Sequence, residues 1–177
     1  MTFFQYFFLF WYNNAMKDKK VEKVKKIKIY VVLDNIRSAL NVGSIFRTSD
    51  AFLVEKIYLC GITPTPDNKK VLKTALGAEK SVKWEYKKDI LELIETLRKR
   101  DKNIRIISLE QTRESRDLKD VKIKNDICLI IGNEVSGVSR EVLKLSDNHI
   151  NIPMKGKKES LNVSNAFSIA IYELSAN

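Results

Sequence analysis

An α/β domain is what this sequence predicts, with a mainly parallel sheet and helices on both faces. Three observations support it. From Ile27 onward, short β-branched runs alternate with longer amphipathic ones. The run that stops at Gly132 is continuously apolar, as a strand covered on both faces must be. No internal repeat, low-complexity tract or long linker divides the 177 residues, which suffice for one domain with a real core.

The elements follow in order. "IKIYVVLD" (27–34) reads as a buried strand, and residues 35–40 as a loop. "NVGSIFRTSDAFLV" (41–54) reads as a helix capped by Asn41, with Val42, Ile45, Phe46, Phe52 and Leu53 on its apolar face. "KIYLC" (56–60) is a strand closed by Gly61 and the turn "TPTPDN". A short helix over 69–78 ends at "LGAE", and "SVKWEY" (81–86) is the next strand. "KDILELIETLRKR" (88–100) is an amphipathic helix with basic residues at its C-terminal end, where the helix dipole favours them. "NIRIISLE" (103–110) and "DICLIIG" (126–132) are strands joined by a charged connection. "SREVLKLS" (139–146) is a short helix, "HINIP" (149–153) a short strand, and Leu161 to Leu174 the last helix.

The net charge of +10, with lysine well ahead of arginine, favours a polyanionic partner, nucleic acid first. Cys60 and Cys128 lie far apart and match no metal spacing, and His149 is the only histidine. Two reduced thiols in a cytoplasmic protein, with no metal, are expected. "MTFFQYFFLFWY" at the start is aromatic and uncharged, and too short to span a membrane. It also lacks the basic start and small-residue cleavage site of a secretory signal. Residues 1–26 are therefore read as a tail or a mis-assigned start, with 27–177 as the domain and no membrane partner.

Three constellations can carry chemistry. In "LIIGNEVSGVS" (129–139) an apolar strand ends at Gly132, a loop follows, and Gly137 opens a helix. The spacing nearly fits a phosphate-binding loop, but Val138 stands where the lysine is needed and Glu134 would repel the anion. A neutral or cationic ligand suits it better. Ligands of open α/β sheets sit beyond the carboxyl ends of the strands. Amides in "GNE" and "IPM" can there hold an adenine edge and a ribose; plain tight turns are the alternative.

In "ESLNVSNAF" Ser160 is the expected N-cap of the last helix, which leaves Asn162 without a capping role. Lys155, Lys157 and Lys158 precede it and suit a phosphate backbone, or simply a solvated loop. In "NVGSIFRTSDAF" Arg47 either pairs with Asp50 at i,i+3 or faces the rim shared with the two loops.

"NIRSALNVGSIFRTSDAF", "LIIGNEVSGV" and "INIPMKGKKESLNVSNAFSIAIYEL", in this order, resemble motifs one, two and three of the SpoU (TrmH-like) RNA 2′-O-ribose methyltransferases of the SPOUT superfamily. The resemblance covers about residues 28 to 174. It implies a deep C-terminal trefoil knot, S-adenosyl-L-methionine as cofactor, a tRNA or rRNA substrate, and a homodimer. Carried over by motif, it implies catalytic roles for Arg47, Asn41, Glu134, Ser160 and Asn162. It implies cofactor contacts at Gly132, Ile152 and Leu161, with Asn133, Pro153 and Met154 beside them. A non-catalytic RNA-binding module for ribosome assembly, or a base-methylating SPOUT enzyme, are the alternatives.

Overall fold

The computed structural model describes residues 27–176; the expectation for residues 1–26 falls outside them. In chain order the elements are β1 (Ile29–Asp34), α1 (Ala39–Ala51), β2 (Lys56–Cys60), α2 (Lys69–Ala75), α3 (Ala78–Ser81), β3 (Trp84–Lys87) and α4 (Ile90–Arg100). They continue with β4 (Arg105–Leu109), β5 (Arg116–Asp117), a 3-10 turn (Leu118–Asp120), β6 (Ile127–Ile131), α5 (Arg140–Leu145), β7 (Asn148–Asn151) and α6 (Val163–Ser175). The seven strands form one sheet in the order β3-β2-β1-β6-β4-β7-β5. Every pairing is parallel. All carboxyl ends therefore meet at one rim.

Both faces are covered, as the apolar strands require. One core packs Phe46 and Val42 of α1 and Phe167 and Ile171 of α6 against Val31, Leu33, Leu129 and Ile131. The other packs Leu93, Ile94 and Leu97 of α4 and Val142 of α5 against Val32, Cys128 and Ile130. Cys60 and Cys128 are buried free thiols, and burial pushes the Cys60 thiol up to about 12, so it stays protonated. No metal-binding cluster and no helix long and apolar enough to cross a membrane occurs among the described residues.

Helix starts differ from the sequence reading. Ser38, not Asn41, caps α1, accepting from the Asn41 amide, so the helix begins at Ala39 and ends at Ala51. Asn162, not Ser160, caps α6, accepting from the Ser164 amide. Gly137 lies in a turn at φ +67°, and the helix behind it starts at Arg140 with Ser139 as its cap. The charged connection between β4 and β6 contains the unforeseen strand β5, and residues 69–78 split into α2 and α3 at left-handed Leu76 and Gly77.

Helix α1 lies so close to α2 that a Cβ on Gly43 would meet the Thr74 hydroxyl, the Val71 carbonyl and the Ala75 amide. The Thr74 hydroxyl donates to the Leu40 carbonyl at 2.9 Å and ties the same pair. Two of the obstructing groups are backbone and cannot turn aside. Gly43→Ala is therefore expected to lower unfolding free energy by about 1–3 kcal/mol, read by urea denaturation.

Candidate active site

The loop after β6 is closed on itself by the amide of Asn133, which donates to the Gly137 carbonyl at 3.1 Å, while the Gly137 amide returns a bond of 2.9 Å. A Cβ on Gly132 would strike the backbone of Gly137 and Val138, so the hairpin admits only glycine there. Asn133 Oδ1 accepts from the amides of Val135 and Ser136, and its Nδ2 donates to the Asn35 carbonyl at 2.7 Å. From the β4 end, Glu110 accepts from the Val138 amide at 2.8 Å.

This rigid loop presents Glu134 to the start of α1. One carboxylate oxygen accepts from the Arg37 amide at 2.9 Å; the other accepts from the Ser38 amide at 3.0 Å and from Asn41 Nδ2 at 3.2 Å. Asn41 Oδ1 in turn accepts from Asn162 Nδ2 at 3.2 Å, and Asn162 Oδ1 accepts from the amide and hydroxyl of Ser164. The chain Glu134–Asn41–Asn162 joins all three constellations of the sequence. Partial burial works to raise the Glu134 pKa, but the bonds from Arg37, its own amide, Ser38 and Asn41 outweigh it and hold the carboxyl below its ordinary value.

A cleft of about 430 Å³ opens beside this clasp, at the carboxyl ends of β4, β6 and β7. Of the expected site residues, Gly132, Asn133, Glu134, Ile152, Met154, Ser160, Leu161 and Asn162 line it. Pro153 is exposed and does not. Asn41 reaches the cleft only through Glu134 and Asn162. Lys155, Lys157 and Lys158 are exposed in the connection that borders it.

Arg47 is exposed on α1 and lines no part of its own chain's cleft. It lies six residues past Asn41, about 9 Å along the helix. Among the described residues, no ion pair joins it to Asp50.

The cleft suits a cation-bearing nucleoside such as S-adenosylmethionine. Ile131, Ile152, Met154, Leu161 and Val163 offer apolar cover for a base, and Glu110, Glu134 and Glu159 contribute carboxylates. No lysine or arginine is among the described lining residues, so a phosphate finds no counter-charge there.

Two contributors escaped the sequence reading. Glu110 stood at the end of an apolar strand, where a lone charge is itself a signal. Asn35 takes left-handed φ 55°, donates to Asp34 and accepts from the Ile62 amide. An asparagine directly after a buried strand is the turn chemistry that marks it.

Comparison with known proteins gives one consistent picture. The SpoU rRNA methylase family matches residues 28–172. A Borreliella burgdorferi protein described as an uncharacterized tRNA/rRNA methyltransferase is 33% identical over 153 residues, which cover 86% of this chain and 65% of that one. The tRNA (guanosine(18)-2′-O)-methyltransferase of Aquifex aeolicus is 28% identical over 163 residues, covering 88% and 75%. The crystal structure of the SpoU methyltransferase AviRb from Streptomyces viridochromogenes, in complex with the cofactor AdoMet, superposes with a TM-score of 0.77 at 26% identity, covering 86% of this chain and 58% of that one. The chain thus spans about two thirds of the Borreliella relative's length.

Because the folded pKa of Glu134 lies below its ordinary value, the clasp contributes stability at neutral pH and loses it as pH falls through that lowered value. In Glu134→Gln the acid limb of stability against pH is expected to flatten, as followed by thermal melts from neutral pH down into the acid range.

Proposed function

We propose that this chain, which belongs to the SpoU rRNA methylase family, is an S-adenosylmethionine-dependent methyltransferase acting on a ribose 2′-hydroxyl of tRNA or rRNA. The observation that carries this reading is the Glu134–Asn41–Asn162 chain standing beside a carboxylate-lined cleft at the strand ends. The names of the Aquifex relative and of the AdoMet-bound neighbour support the same chemistry.

S-adenosylmethionine would supply a methyl group already activated by its sulfonium. Gly132, Asn133, Ile152, Met154 and Leu161 would hold it, with Pro153 linking Ile152 to Met154. Glu134 is a poor proton acceptor, being held ionised by three donors from the α1 side, so its part is to fix Asn41. Asn41 fixes Asn162 and thereby the cleft's far wall, on which Ser160 also stands.

Arg47 has a guanidinium pKa above about 12 and cannot serve as a base unaided. Its fork would suit the phosphate beside the target ribose and so orient the 2′-hydroxyl. The O–methyl bond would form as the methyl–sulfur bond breaks and S-adenosylhomocysteine leaves, with the hydroxyl proton passing late by way of that phosphate to solvent. Alignment of this kind can contribute on the order of 7–11 kcal/mol. Lys155, Lys157 and Lys158 would carry the neighbouring phosphates.

A homodimer completes this arrangement. Exposed Leu53 lies just past the end of α1, and exposed Ile169 and Tyr172 lie on α6, where Tyr172 meets Phe52 edge-on at 6.1 Å between ring centres. A second copy would cover them, and the exposed Arg47 would then serve a cleft that its own chain does not let it line. The strand order also supports a trefoil knot. Because β7 lies between β4 and β5, the connection from 110 to 126 reaches past the place of β7 and returns to β6, a crossing of the kind that a trefoil would use.

The test is transfer of labelled methyl from S-adenosylmethionine to RNA, followed by alkaline hydrolysis. Label is expected in alkali-resistant dinucleotides; label only in single nucleotides would mean base methylation, and no transfer a binding module. Arg47→Lys keeps the charge and loses the fork, so turnover is expected to fall about 100-fold or more while RNA affinity changes little, as measured by single-turnover kinetics and filter binding.

A further inference from the structure

We infer that the rim formed by the carboxyl ends of β1, β2 and β3 is a docking surface for single-stranded or looped RNA, built from Arg37, Lys69, Lys70 and Tyr86. This rests on the reading of the chain as an RNA methyltransferase and says where the RNA lies outside the cleft. Because all strands are parallel, this rim continues the one that carries the cleft at the ends of β4, β6 and β7. The two halves are physically joined. The Arg37 amide is held by Glu134 of the cleft, and the Ile36 amide is held by the Thr63 hydroxyl from the loop after β2.

The surface has the two components that single strands need. The first is positive charge. Arg37, Lys69 and Lys70 are exposed, and none has an ion-pair partner among the described residues. The acid nearest Lys69 and Lys70 in sequence, Asp67, is engaged by the Thr65 hydroxyl at 2.9 Å, and Asp34, nearest Arg37, is buried and accepts from Asn35 Nδ2 at 2.8 Å. The second is a stacking platform. Tyr86, at the end of β3, is 46% exposed, and its hydroxyl donates to the Gly61 carbonyl at 3.1 Å, which pins the ring beside the rim. Ile62, 66% exposed, adds apolar surface next to it.

Charge sign separates the two regions. Phosphates are disfavoured inside a cleft lined by Glu110, Glu134 and Glu159, and favoured on the rim just outside it. A strand held on the rim by its phosphates would deliver a ribose to the cleft's edge rather than occupy the cofactor's space.

The test is equilibrium binding of unmodified bulk tRNA transcripts and of fragmented rRNA over a salt series, beside calorimetry with S-adenosylmethionine. In the combined variant Arg37→Ala, Lys69→Ala, Lys70→Ala, RNA affinity is expected to fall about tenfold or more, and the slope of log affinity against log salt to shrink by about 2. Tyr86→Ala should lose about fivefold or more, and Tyr86→Phe, which keeps the ring, should not. Cofactor affinity should stay within about twofold, since none of the four lines the cleft.

An unchanged slope and affinity in the triple variant, or wild-type protein that binds neither RNA, overturns the inference. If the rim substitutions weaken RNA binding but wild-type protein gives no heat with the cofactor, the docking surface stands and the methyltransferase reading falls.

Discussion

The site depends on one carboxylate. Glu134 gathers two backbone amides and a side-chain amide from residues 93 to 97 positions away, and Asn41 passes that grip to Asn162. Remove the charge and the start of α1, the loop after β6 and the entrance of α6 lose their common anchor. The cost of pulling this carboxylate partly out of water is met by donors aimed at it, which is why its pKa falls rather than rises. A group so fully engaged is suited to holding geometry and poorly suited to moving protons.

Around that anchor the charges are sorted. The chain carries a net +10, yet the cleft wall holds three carboxylates and no described lysine or arginine. The cations stand outside, on the connection from 153 to 162 and at the start of α2. A cation-bearing small molecule and a polyanion would thus be met by surfaces of opposite sign within one rim.

Much of this was legible in the sequence, for reasons that differ by element. Lys56–Cys60 was read with both its ends and the helix over 88–100 with its true C-terminal end at Arg100, because flanking turns and the basic last turn mark them. The start of that helix falls at Ile90, behind the Asp89 cap. The lines of force between elements were not legible. Ser38 and Asn41 are both good caps three residues apart, and the choice is made by Glu134, which takes the Asn41 side chain for itself. Ser160 and Asn162 repeat the ambiguity, with Asn41 as a remote partner that no local pattern reveals. Strand β5 has two residues in a charged stretch and exists only because β7 lies beside it. The position of Arg47, outside its own cleft, follows from helix phase relative to neighbours rather than from any motif.

The strand order couples synthesis to assembly. Among the described residues β5 pairs only with β7, a strand that follows it in the chain after β6 and α5. While the polypeptide is still emerging from the ribosome, β5 has no strand partner until β7 is made, and the cleft residues from Asn151 to Ala166 arrive after those from Leu109 to Gly137. Nascent chains that lack the later stretch would therefore carry an unfinished pocket, a window in which a small molecule or a chaperone finds a different surface from the mature one.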